Sequence, residues 1–200
     1  TPQFGRDAWV SLSTILISFV IGLVVGLALG VFLWKVPAAG RVLEPFIVTG
    51  YAMPTLLFYP VLLALLGLNA GPIILIAATM ALVPIALTTM VALNAVKPIL
   101  HKLAKSVNAS NRQYYLKVLL PAATPLIFPG VRLGFIYAVI GTIAMEFIIA
   151  ARGIGFRVGL YYRELQTGNM WAYIMIVVVL SVIVNGLLTA LERRIRRDML

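Results

Sequence analysis

No charged residue occurs between Glu44 and Lys97. The same holds between Asp7 and Lys35 and between Glu164 and Glu192. A helix needs about 20 apolar residues to cross the hydrocarbon of a bilayer, and each stretch exceeds that length. With 62% hydrophobic residues and a mean hydropathy of +1.05, an ordinary water-soluble domain is excluded. The pattern predicts an all-α fold: a polytopic membrane helix bundle forming a single domain over residues 1–200.

Turn signals divide the apolar mass. Asn69-Ala70-Gly71-Pro72 is the strongest break in the long uncharged stretch. Five spans follow, at about 9–34, 45–67, 72–95, 126–150 and 170–191. Trp9, Trp34, Tyr51, Trp171 and Tyr173 lie near their ends, as interfacial aromatics do. Span 9–34 is too long for the core of a cleavable signal.

The net charge of +10 does not point to nucleic acid, because the basic residues cluster at the ends of apolar runs. With the loop 96–125 in the cytoplasm, that side carries Lys35, Arg41, Lys97, Lys102, Lys105, Arg112, Lys117, Arg132, Arg193, Arg194, Arg196 and Arg197. The other side holds only Arg6, Arg152, Arg157 and Arg163. The bias puts the C-terminus in the cytoplasm and Thr1 outside, so a sixth helix is expected upstream. Cysteine is absent and His101 stands alone, so no disulfide and no metal site is expected.

Several residues inside the spans invite two readings. Gly22, Gly26 and Gly30 recur every fourth residue, which suits close helix packing within one bundle or between subunits. Pro54 and Pro60 interrupt the second span, and such breaks survive in lipid only when buried or beside a water-filled cavity. Tyr51, Met53, Pro54, Thr55 and Phe58 are therefore pathway candidates, with simple kinked packing as the alternative. Glu146 is a costly carboxylate late in the fourth span. It either pairs with Arg152 to support the Gly153–Gly155 turn or lines a pathway or gate. Ser181 and Asn185, four apart, suit interhelical hydrogen bonding. Arg193, Arg194, Arg196 and Arg197 suit anionic lipid headgroups.

The longest polar interruption, 101–132, carries Lys102, Lys105, Arg112 and Lys117 and no acid. A short helix through Ala104-Lys105-Ser106-Val107 would stop at Asn108, which tolerates positive φ. Ser110-Asn111-Arg112-Gln113 fits a capping box for a second helix, expected to end at Pro121. Pro125 and Pro129 would follow as an exit before the fourth span. The expected result is a rigid knob.

This segment resembles the EAA loop of binding-protein-dependent ABC importer permeases. The motif's glutamate position falls on Lys102, its alanines on Leu103 and Ala104, and its glycine on Asn108. Its Leu-Pro-Ala-Ala-x-Pro falls on Leu120 to Pro125, and Gly130 and Arg132 match the Gly-x-Arg that follows. Glu146 and Gly153-Ile154-Gly155 are similar to the pattern of the nitrate, sulfonate and taurine branch.

The resemblance implies a permease subunit in the bacterial inner membrane that takes up a small anion such as a sulfonate or nitrate. A pyrimidine precursor or an aromatic acid is the alternative cargo. A channel or a non-transporting scaffold is the alternative class. The implied partners are a second permease copy, two ABC ATPase subunits that bind ATP and Mg, an external substrate-binding protein, and membrane lipid. Residues Lys102, Leu103, Ala104, Lys105, Ser106, Val107, Asn108, Ala109 and Ser110 would form the coupling contact with the ATPase. The chain itself holds no Gly-x-x-x-x-Gly-Lys phosphate loop, so no catalytic residue and no cofactor of its own is expected.

Overall fold

The computed structural model describes residues 2–52 and 55–197; Met53 and Pro54, two of the pathway candidates, lie outside the described residues. Every described element is helical. In order they are α1 (Pro2–Lys35), α2 (Pro37–Ala52), a 3-10 turn (Thr55–Phe58), α3 (Tyr59–Leu66), α4 (Gly71–Asn94), α5 (Pro98–Ser106), α6 (Asn111–Gln113), a π turn (Tyr114–Leu119), α7 (Leu120–Ile149), α8 (Ile154–Arg163) and α9 (Thr167–Arg197). Among the described residues, four helices are long and apolar enough to cross a membrane. There are five if the bent pair Pro37–Tyr51 and Thr55–Leu66, which turns by 83°, counts as one span.

The sequence of α1 explains how the bundle closes. Asp7, Ser11, Thr14, Ser18, Gly22, Gly26, Gly30 and Leu33 follow one another every three or four residues, and all are buried. They form one face; Leu16, Ile17, Val20 and Val24 on the opposite side are exposed, as a lipid-facing surface permits. The glycine half of the stripe lies on α4. A Cβ at Gly22 would stand 2.8 Å from Ala81 Cβ, and one at Gly30 would stand 2.6 Å from Ala86 O. The glycine spacing therefore serves packing within this chain.

Helix α7 approaches α4 beside α1 in the same way, sharing Ala81 and Ile85 as contacts. Cβ atoms at Gly130 and Gly134 would come within 2.4 Å of Thr88 Cβ and 2.6 Å of Ile85 Cδ1. Helix α4 is thereby enclosed, with Ala77, Ala81, Ile85 and Ala86 fully buried at its centre. Its small residues allow two neighbours to reach its backbone at once.

The expected proline exit is not seen. Residues Asn111–Ile149 form one continuous helical stretch of 39 residues, with Pro121, Pro125 and Pro129 inside it. Two features absorb them. The π turn ends at Leu119, one residue short of Pro121, with Leu120 N–H bonding Tyr115 O across the wider ring. The prolines recur every fourth residue, so their missing donors fall on one side of the helix and bend it rather than break it. The helix that contains the fourth span therefore begins earlier than 126. The break between α3 and α4 at 67–70 falls one residue before the expected 68–71, and Asn69 Oδ1 accepts from Gly71 N–H at 2.6 Å.

Candidate functional site

Two polar clusters sit at opposite ends of the long helix that ends in α7. The first is the knob, α5 and α6. Lys97 precedes Pro98 at the first turn of α5, where proline's missing donor leaves no intrahelical bond unmade. The helix closes at Asn108 with φ +48°. Asn108 N–H bonds Lys105 O at 3.1 Å and Ala109 N–H bonds Ala104 O at 3.0 Å, the paired bonds of a Schellman motif. Two residues on, Ser110 Oγ accepts from Gln113 N–H at 3.3 Å while Gln113 Oε1 accepts from Ser110 N–H at 2.9 Å. The capping box is complete.

These two devices leave little freedom between the helices. His101 Nδ1 and Tyr114 Oη share a hydrogen bond of 2.5 Å that ties α5 to the π turn. Beneath them Leu93, Val96, Leu119 and Ala123 form a small apolar core, with Trp34 and Tyr115 packed against it. Lys35 Nζ lies 5.0 Å from the Tyr115 ring centre.

Of the knob residues picked out in the sequence, Ala104 is buried and Ala109 half-buried; Lys102, Leu103, Lys105, Ser106, Val107, Asn108 and Ser110 are exposed. Ile99, Leu103 and Val107, four apart, are 64%, 54% and 66% exposed. That spacing puts them on one side of α5 as an uncovered apolar ridge, with Lys102 beside it and Lys105 on the opposite side of the helix. Sequence reasoning missed Ile99, although the i, i+4, i+8 spacing with Leu103 and Val107 marks it.

The second cluster surrounds the Gly153-Ile154-Gly155 turn, where three successive backbone N–H groups each meet a side chain. Asp7 Oδ1 accepts from Gly153 at 3.3 Å, Ser11 Oγ from Ile154 at 2.8 Å, and Glu146 Oε2 from Gly155 at 3.0 Å. Ser11 Oγ in turn donates to Glu146 Oε2 at 2.6 Å. Gly153 has φ +118°, and a Cβ there would stand 2.5 Å from the Glu146 carboxyl. Glycine is therefore required at this position for both conformation and space. The N-cap donor and the first two helical donors of α8, which would otherwise be orphaned in an apolar setting, are satisfied by α1 and α7.

Glu146 thus supports the Gly153–Gly155 turn, but not through Arg152. The ion pair is Asp7 with Arg157, Oδ2 to Nε at 2.5 Å. This contact raises the guanidinium's already high pKa, so Arg157 stays charged. Arg152 falls outside the pair because the turn directs it to the exposed surface while Glu146 is 1% exposed. Asp7 and Ser11 escaped the sequence reading. Their signal was the polar series 7, 11, 14 and 18 on one face of an otherwise apolar helix.

The remaining candidates lie apart from Glu146. Tyr51 stacks edge-on against Tyr137 with ring centres 5.5 Å apart, Thr55 opens the 3-10 turn half-buried, and Phe58 is exposed. Ser181 lines an apolar pocket, and Asn185 Oδ1 accepts from Arg132 Nε at 2.7 Å, the interhelical bond expected of it. Among the described residues no cluster of three metal-ligating side chains occurs.

A bundle of apolar spans around a glycine-flanked central helix, with a capped basic knob at one end, defines a membrane transport subunit. Residues 18–197 match the family of binding-protein-dependent transport system inner membrane components, and the chain belongs to that family: it is a permease subunit of the ABC importer class. It is 27% identical over 200 residues to the taurine transport system permease of Escherichia coli K12, covering 97% of this chain and 73% of that one. It is 26% identical over 188 residues to the nitrate import permease of Synechocystis, covering 94% and 68%. Its fold is similar to that of an inward-facing methionine ABC transporter, with a TM-score of 0.79 at 23% identity, covering 96% of both chains.

Proposed function

We propose that this chain lines the substrate path of a bacterial ABC importer for a small anionic solute such as a sulfonate or nitrate. It works as a homodimer with two ATPase subunits, which hold ATP and Mg, and an external substrate-binding protein. The knob faces the cytoplasm together with the C-terminus, in keeping with the excess of Lys and Arg at that end. Residues Lys102 to Ser110 form the coupling contact, and the bent segment with Tyr51, Thr55 and Phe58 borders the path.

The observation that carries this reading is the ridge Ile99–Leu103–Val107. Three large apolar side chains on a helix anchored by a Schellman motif and a capping box suit an apolar groove on a partner. The ridge is held rigid, so displacement of that partner moves the long helix beginning at Asn111. The chain has no phosphate loop, so the energy must arrive through such a contact.

The test is uptake by the reconstituted transporter carrying Leu103→Glu. The expected result is loss of ATP-driven uptake by tenfold or more with the ATPase subunit detaching on purification. Full uptake with a charge on the ridge would refute the coupling assignment.

A further inference from the structure

On the side away from the knob, α1 and α9 meet where Phe4 and Tyr173 stack edge-on with ring centres 5.9 Å apart. Deeper in the membrane they separate, and α7 floors the gap. The gap is a slot of about 210 Å³ lined by Phe4, Ala8 and Ile15 of α1, Val139 of α7, and Ile176 and Val184 of α9. From Ile176 to Val184 it follows α9 for about 12 Å at 1.5 Å per residue. Leu12 and Leu180 stand on its wall and are 39% and 40% exposed, so the slot opens at the bundle surface.

The chemistry of the walls decides what fills it. Only Ser11 and Ser181 are polar there, and the Ser11 hydroxyl is already bonded to Glu146 and Ile154. Ordered water needs roughly two to four polar partners and finds too few. A helix is about 10–12 Å across with its side chains and cannot enter a slot of this volume. Left empty, the walls forfeit their dispersion contacts. About seven methylene-sized groups at roughly 30 Å³ each fill the space, and its long, narrow form suits one acyl tail.

The mouth of the slot carries a matching polar group. Tyr161 packs on Tyr173 with ring centres 5.5 Å apart, and Arg157 lies one turn before Tyr161 on α8. Arg157 gives its Nε to Asp7, itself one turn from Phe4 on α1. Its two Nη atoms make no hydrogen bond among the described residues. The Asp7 carboxylate is shared between Arg157 and Gly153 N–H, and neighbouring Arg6 is exposed. A guanidinium edge fits a phosphate, and tyrosine rings settle at headgroup depth.

From this arrangement we infer that the slot between α1 and α9 binds one phospholipid of the leaflet remote from the knob. Its acyl chain lies between Phe4 and Val184, and its phosphate meets Arg157, Tyr161 and Tyr173. The site requires only the membrane bundle, so it stands apart from the cargo and from the coupling to an ATPase.

The test is native mass spectrometry of the full chain, extracted in detergent, stripped of lipid and titrated with dipalmitoyl phosphatidylglycerol. Dipalmitoylglycerol, which has the same chains without the phosphate, is the control. The parent should retain one phosphatidylglycerol per chain at least tenfold more tightly than the diacylglycerol. Ala8→Trp, which fills the slot, should weaken phosphatidylglycerol tenfold or more, while Val20→Trp on the exposed face of α1 should leave it within twofold. Arg157→Gln should bring the two lipids within threefold of each other. The chain has no cysteine, so Ala8→Cys gives a single probe that perturbs the slot little. Its maleimide labelling should slow at least fivefold when phosphatidylglycerol is added. Equal affinity of the parent for the two lipids, or full binding by Ala8→Trp, would overturn the site. Labelling of Ala8→Cys indifferent to lipid would do the same, and a disulfide-linked dimer through that cysteine would give the slot to a second copy instead.

Discussion

Replacing Glu146 tests whether the turn at Gly153–Gly155 is held by hydrogen bonds or by packing alone. In Glu146→Ala, the Ser11 hydroxyl and the Gly155 N–H lose their shared acceptor in a buried setting. Each abandoned donor costs about 1–3 kcal/mol, so the loss is roughly 2–6 kcal/mol. An opposing effect is that the orphaned Oε1 disappears with the carboxyl. That gain is at most comparable to one lost donor, so destabilisation wins. Glu146→Gln is the informative contrast, because its carbonyl oxygen can take the place of Oε2 and keep both bonds. Arg152, Arg157 and Arg163 flank the turn and are natural trypsin sites. When opening is fast relative to cleavage, the cutting rate follows the open population, tenfold for each ~1.4 kcal/mol. Limited proteolysis in detergent should therefore show cleavage of Glu146→Ala at these sites rising about fivefold or more, with Glu146→Gln staying within about twofold of the parent. Equal cleavage of both variants would refute the hydrogen-bond account and leave side-chain volume as the cause.

Two further outcomes follow from backbone geometry. Asn108→Val places a β-branched residue at φ +48° and should destabilise the α5 closure by about 1–2 kcal/mol, whereas Asn108→Gly should not; hydrogen exchange of the α5 amides distinguishes them. Gly30→Leu would drive a side chain into Ala86 O and should lower the thermal midpoint in detergent by several degrees, while Gly186→Leu, with open space around it, should not.

The sequence made local features legible and hid those that depend on packing. The capping box at Ser110, the positive φ of Asn108 and the break before Gly71 each follow from chemistry within a few residues. The continuity of the helix through Pro121, Pro125 and Pro129 did not, because a π turn was needed to accept the first ring and nothing in the residue types announces one. The Glu146 environment was half legible. A buried carboxylate near a Gly-x-Gly turn signals support for that turn, but nearness in sequence favoured Arg152. The true neighbours, Ser11 and the Gly155 amide, come from α1 and α8, and contacts between residues 135 positions apart leave only a periodicity behind.

The unbroken stretch from Asn111 to Ile149 has a mechanical meaning. Thirty-nine residues at 1.5 Å each make a rod of at most about 58 Å, with the capping box at one tip and Glu146 close to the other. A tilt of about 5° about one tip of such a rod would sweep the other by roughly 5 Å, about one helical turn. No relay of side-chain rearrangements is then required between the ends. Under the proposed coupling, tilt at the knob becomes displacement at the glycine turn, less whatever bend the π turn and the prolines at 121, 125 and 129 take up.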